Sequence, residues 1–159
     1  VCGDERETLE GFLDWYRSVI ERKVEGLSLG DATRVMTPTG MSALGIIKHL
    51  GWVERGWFRD VFAGEDVDAI DVDGDNSAEF AIGGGDTVAS VLAFYRAEIE
   101  ATRGIAREAP TLDALSVRQT EFGEHVSLRW IMVHMLEETA RHAGHLDLMR
   151  EEMDGQVGD

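Results

Sequence analysis

Ser127-Leu-Arg-Trp-Ile-Met-Val-His134-Met-Leu-Glu137-Glu138-Thr-Ala-Arg141-His142-Ala-Gly-His145-Leu-Asp-Leu-Met-Arg150 contains no proline and repeats its apolar residues every three or four positions. That spacing predicts one long amphipathic helix. With Glu138 at zero on a wheel of about 100° per residue, Leu128, Ile131, Met135, Leu146, Met149 and Met153 fall between about 20° and 80°. His142 falls near 40°, in the middle of the apolar stripe. Glu138 lies just inside it, and His134 and His145 sit on one border. Polar groups on such a face cost free energy unless something satisfies them.

Three further segments read as helices of similar length. From Asp4 to about Glu25, Leu9, Phe12, Leu13, Tyr16, Val19, Ile20 and Val24 form a stripe that Gly26 and Gly30 end. After Thr37-Pro38-Thr39-Gly40, a second helix spans about Ser42 to Phe62. Its interior glycines Gly45, Gly51 and Gly56 each cost roughly 1 kcal/mol against Ala unless a neighbour needs the space. A third, capped by Asp86 or Thr87, carries Val88, Val91, Leu92, Tyr95, Ile99 and Ile105 to about Glu108, where Pro110 stops it. The expected fold is all-α: a single-domain four-helix bundle over residues 1–159, with long connections after the second and third helices. The second of these connections, Thr111 to His125, has room for a short helical turn at Leu112–Leu115.

The first, Gly64 to Gly85, is rich in aspartate and too long for an idle link, which suggests a lid or a poorly ordered segment. Asp71-Val-Asp73-Gly-Asp75 invites a calcium-loop reading, but the sixth position is Asn76 instead of Gly and the twelfth is Ile82 instead of Glu. The calcium reading is therefore rejected.

Composition narrows the function. The chain has 159 residues, 31 acidic against 15 basic, and a formal net charge of -16. Such a surface repels nucleic acid and anionic lipid, so neither is an expected partner. With one cysteine, Cys2, no internal disulfide can form. No apolar run approaches a membrane span and no signal-peptide pattern is evident, so a cytoplasmic location is expected. The chain opens on Val1 without Met, which leaves room for an N-terminal extension.

The candidate chemistry lies on two helices. Glu138 and His142, at i and i+4, project from adjacent turns of one face. On the second helix, His49 is centred on the face shared by Ser42, Ile46, Val53, Gly56 and Trp57. A lone histidine there is usually a satisfied core residue. Two buried imidazoles and a carboxylate must all find partners, which is harder. Three protein ligands with an open fourth position suit a catalytic zinc, and the same donors suit nickel or ferrous iron. His134 and His145 are border residues: supports for a ligand, proton carriers, or polar edge. Met135, Met149, Trp52 and Trp57 read as core or cavity lining, with Trp57 the best pocket wall. Arg141, beside the ligand face, is either a carboxylate binder or the salt-bridge partner of Glu137.

The run from Leu128 to Glu151 resembles the terminal helix of DinB-like proteins, most closely the branch of mycothiol-dependent maleylpyruvate isomerases and mycothiol transferases. Ser42-Ala-Leu-Gly-Ile-Ile-Lys-His-Leu-Gly-Trp-Val-Glu54 is similar to that branch's second helix. The acidic segment is not diagnostic. The resemblance implies a divalent metal, usually zinc, on His49, Glu138 and His142. It also implies mycothiol or a similar thiol as cosubstrate, an electrophilic small molecule as acceptor, and homodimerisation as an option. Many other DinB-like proteins have a third histidine where this chain has Glu138. Two other functions fit the same ligands: a hydrolase with His134 or His145 as base, and a non-catalytic metal-containing binding or stress-response protein.

Overall fold

The computed structural model describes residues 3–68 and 78–158. Asp71–Asp75, the rejected calcium loop, and Cys2 lie outside them. Helix α1 covers Glu5–Arg22, α2 Leu29–Ala32, α3 Ala43–Glu54, α4 Val88–Glu108 and α5 Leu128–Asp154. Helix α3 runs on without a break as a π-helix, Arg55–Phe62, and Ala78–Phe80 forms a 3₁₀ turn. The expected all-α bundle is what forms: α1 packs mainly on α5, and α3 mainly on α4.

Side chains start each helix. Asp4 caps α1 through a reciprocal box with Glu7, Thr87 does the same for α4 with Ser90, and Ser42 and Ser127 cap α3 and α5. Each satisfies a backbone N–H that the first turn leaves without a helical partner. The boundaries differ from expectation in four places. Helix α1 stops at Arg22, because Lys23 to Gly26 form a turn with Gly26 at φ +76°. The short α2, capped by Ser28, is too brief for its periodicity to show. Helix α5 continues past Arg150 to Asp154, where Gly155 adopts φ +76°. Leu112–Leu115 is not a helical turn: Leu112 and Asp113 make a tight turn, and Leu115 forms an antiparallel bridge with Ser127.

That last segment has a structural job. Val117 and Arg118 donate backbone hydrogen bonds to Phe62 and Val61, closing carbonyls at the end of the π-helix. Gly64 terminates the helix at φ +70°, and a Cβ there would lie 2.6 Å from Val117. Two of the three interior glycines of the second helix also answer to close neighbours. A Cβ on Gly45 would meet the Phe80 carbonyl oxygen at 2.4 Å, and one on Gly51 the Phe94 ring at 2.5 Å; Gly56 faces open space.

The core divides into two apolar clusters, one around Ile20, Ile46, Leu50, Tyr95 and Leu146, the other around Leu13, Phe58, Leu128, Ile131 and Met135. Between them, each long helix contributes a buried polar residue: Arg17, Glu54, Thr102 and Thr139. Arg17 makes a bidentate pair with Glu54 at 2.7 Å for both bonds, and Thr102 donates to the same carboxylate at 2.9 Å. The apolar stripe read on the first helix is corrected at Phe12, which is 55% exposed. The buried arc of α1 turns instead through Arg17, whose charge Glu54 neutralises.

Candidate metal centre and its cleft

His49 is held on α3 and Glu138 and His142 on α5, and the structure brings the three together, with one donor atom from each within 4.8 Å of the other two. His49 and His142 are buried; Glu138 is half-buried. Both imidazoles aim Nε2 at the same carboxylate oxygen, Oε1 of Glu138, His142 at 3.1 Å and His49 at 3.4 Å. Their hydrogen bonds, His142 first, hold the Glu138 carboxyl well below the usual carboxylate range against the opposing effect of burial. Glu138 is therefore an anion at any physiological pH.

The donor set fits a small divalent cation. Tetrahedral zinc with bonds of about 2.0–2.1 Å needs donor atoms roughly 3.3–3.4 Å apart, close to the two Nε2–Oε1 separations. The opposite ring nitrogens support the same arrangement. Nδ1 of His49 is 3.3 Å from Oε2 of Glu79, and Nδ1 of His142 is 3.4 Å from Nδ1 of His145. A neutral imidazole carries one N–H. If His49 donated from Nε2 to Glu138, its bare Nδ1 would face the Glu79 carboxylate, acceptor against acceptor. With the N–H on Nδ1 facing Glu79, Nε2 instead turns a bare lone pair toward the Glu138 oxygen, which is where a cation would be held.

The other residues singled out in the sequence separate by place. His145 contacts the back of His142, and burial, then the His142 charge, push its pKa down. His134 is elsewhere: it stacks on Trp130, with centroids 5.2 Å apart, and meets Trp57 edge-on at 4.8 Å. Arg141 pairs with Glu137 and sits 3.4 Å from Oε2 of Glu138. Trp57 lines a cleft of about 360 Å³ that opens on His49, together with Trp52, Gly56, Glu79 and Gln119.

The π-helix shapes this wall. Its hydrogen bonds span one residue more than α-helical ones, and such segments are frequent at functional sites. Arg55 stacks over Trp52 and Phe94 and donates to Glu98, which also receives Arg59. The wide turn is thus clamped to α4. A smaller cavity beside Arg17, Arg103 and Arg107 shares no lining residue with the cleft, and Arg17 there is committed to Glu54.

Two residues that the sequence did not single out lie at the centre. Glu79 faces His49, and the Phe80 ring lies 4.8 Å from His49 and 5.9 Å from His142. Their signal was indirect: Gly45, one turn before His49, is the seat of the Phe80 carbonyl.

A family model described as mycothiol-S-transferase matches residues 8–155. No curated protein matches the chain.

Proposed function

Because this chain belongs to the mycothiol-S-transferase family of DinB-like bundles, we propose that it transfers a low-molecular-weight thiol, mycothiol or a close analogue, to an electrophilic small molecule. In this reading His49, Glu138 and His142 hold a divalent cation, most simply zinc, with nickel and iron as alternatives. The observation that carries it is the convergence of two imidazole Nε2 atoms on one carboxylate oxygen, one of the two imidazoles, His49, also lining an open cleft. When bound, the cation favours the thiolate form of a thiol that reaches its open position, which is the nucleophilic form.

The chain's own residues do the rest. Trp52 and Trp57, both lining the cleft beside His49, would offer apolar surface to orient the acceptor and exclude water from the reacting atoms. Glu138 stays ionised, so the site keeps its negative ligand in mildly acidic conditions. His145 supports the His142 ring from behind. Arg141, engaged by Glu137 and close to Glu138, serves as a brace on the ligand carboxylate. His134, in ring contact with Trp57 and Trp130, supports the Trp57 side chain without lining the cleft. The reaction is placed in the cytoplasm, where thiols are kept reduced. No described helix is long and apolar enough to cross a membrane.

The test is elemental analysis of untreated protein, followed by turnover of an electrophile across a panel of thiols. One metal ion per chain and a metal-dependent rate with mycothiol or a surrogate are expected. Stoichiometric metal without turnover of any thiol would leave a binding protein instead. Full metal content in both His49→Ala and His142→Ala would remove the ligand assignment.

A further inference from the structure

The end of the acidic segment is fastened beside His49. The 3₁₀ turn Ala78–Phe80 closes with a hydrogen bond from the Ala81 N–H to the Ala78 carbonyl at 3.1 Å. Lys48, on the turn of α3 that carries His49, donates from Nζ to the Ala81 carbonyl at 3.1 Å and to Asp86 at 2.8 Å. The Phe80 carbonyl occupies the space that any side chain at Gly45 would fill. Backbone, lysine and glycine therefore fix this strap to one face of α3.

The strap presents two side chains to His49. Phe80 covers the ring, and the Glu79 carboxylate stands 3.3 Å from Nδ1. Nε2 faces Glu138 on the opposite edge. The imidazole is thus bounded on three sides, and each edge has a carboxylate. Glu79 addresses the nitrogen turned away from the Glu138 oxygen, so it is not placed as a fourth donor.

We propose that Glu79 is a positioning residue for His49: accepting from Nδ1–H, it fixes the tautomer and ring orientation that leave Nε2 free to bind a cation. A carboxylate behind a ligating imidazole raises its basicity, and losing such a partner typically weakens metal binding about tenfold to a hundredfold. The turn Ala78–Phe80 thereby acquires a role in the centre it touches. This inference rests on the metal-centre reading given above, and it adds a ligand-supporting residue from outside the two ligand helices.

The experiment is zinc affinity by chelator competition for the wild type, Glu79→Ala and Glu79→Gln, with helical content followed by circular dichroism. In parallel, proton NMR of the zinc-loaded proteins reads the His49 Nδ1–H. Glu79→Ala should keep its helicity, bind zinc about tenfold to a hundredfold more weakly, and lose the downfield, exchange-protected Nδ1–H signal. Glu79→Gln, whose amide oxygen still accepts, should lose less affinity and retain the signal. Equal zinc affinity in Glu79→Ala and wild type, or survival of the signal in Glu79→Ala, overturns the role of Glu79 alone. A wild type that takes up no zinc overturns the metal reading and this inference together.

Discussion

Two ionic groups lie in the middle of this bundle, both anchored on α3, and they are built on opposite plans. Around Glu54, both carboxylate oxygens are engaged: Arg17 bonds to each and Thr102 adds a third bond, with Glu54 wholly buried. Around Glu138, two imidazoles crowd one oxygen, and one of them, His49, lines a cleft. The first group is saturated and has nothing left to bind. The second concentrates lone pairs where a cation would relieve them. A buried charge is thus a sign of function only when its partners leave coordination capacity over, and Glu54 shows how α3 looks when they do not.

The largest effect that would break this contrast is at the saturated group. Glu54→Ala strips buried Arg17 of its bidentate partner and leaves it only the half-exposed Asp14, 2.9 Å away; breaking a buried pair typically costs about 3–5 kcal/mol, and urea unfolding should show it. Metal content of the folded fraction should not change. A small loss of stability would mean that Asp14, already bonded to Arg17, or water suffices as its partner, and that the group is less closed than its geometry indicates.

At the unsaturated group, stability should follow the ion. Removing zinc with a chelator, or by His142→Ala, forfeits about 2.7 kcal/mol when free zinc stands a hundredfold above its Kd. Helical content should survive in both cases, because two apolar clusters flank the site independently of it. Circular dichroism with and without chelator reads this directly; collapse of the helices would make the ion structural. A smaller change is expected from His134→Ala, which removes aromatic contacts worth roughly 0.5–1.5 kcal/mol. It should keep its zinc, since the ring contacts Trp57 and Trp130. Loss of metal in that variant would move His134 into the ligand set.

The smallest effect concerns the strap's anchor. Asp86 has its pKa lowered by the hydrogen bond from Lys48, then by the Gly83 N–H, against the opposing effect of burial. A depressed folded-state pKa means that the carboxylate stabilises the fold above its ordinary pKa, about 3.9. That contribution is lost as pH falls through the folded value. Asp86→Asn should therefore cost about 0.5–1 kcal/mol near neutrality, in the range of a partly exposed ion pair. The gap from wild type should close in acid below the ordinary aspartate range. A gap that persists there would mean that Asp86 acts through shape and not charge.

Much of this molecule was legible in its sequence, and the failures have physical causes. Leu128, Ile131, Met135, Leu146 and Met149 are all buried where the wheel placed them, because a long helix averages out local irregularity. His49 could be paired with Glu138 and His142 from the shared apolar surroundings of all three. Arg17 could not be foreseen as core: its burial depends on Glu54 and Thr102, on two other helices, and no local pattern encodes that. The π-helix escaped for a related reason, since Arg55–Phe62 has the same apolar spacing that an α-helix would show. Glu79 was one acid among many, distinguished only by a turn that sits against Gly45.

The widened turn after Glu54 gives this fold a way to change by length. Tightening Arg55–Phe62 to α-helical bonding would absorb the loss of one residue while leaving His49 and Glu54 on their present faces. The far end is already pinned by Gly64 and by the backbone donors of Val117 and Arg118. What would swing is Trp57, against a fixed Trp52, so a single-codon deletion could re-cut the cleft without touching His49, Glu138 or His142.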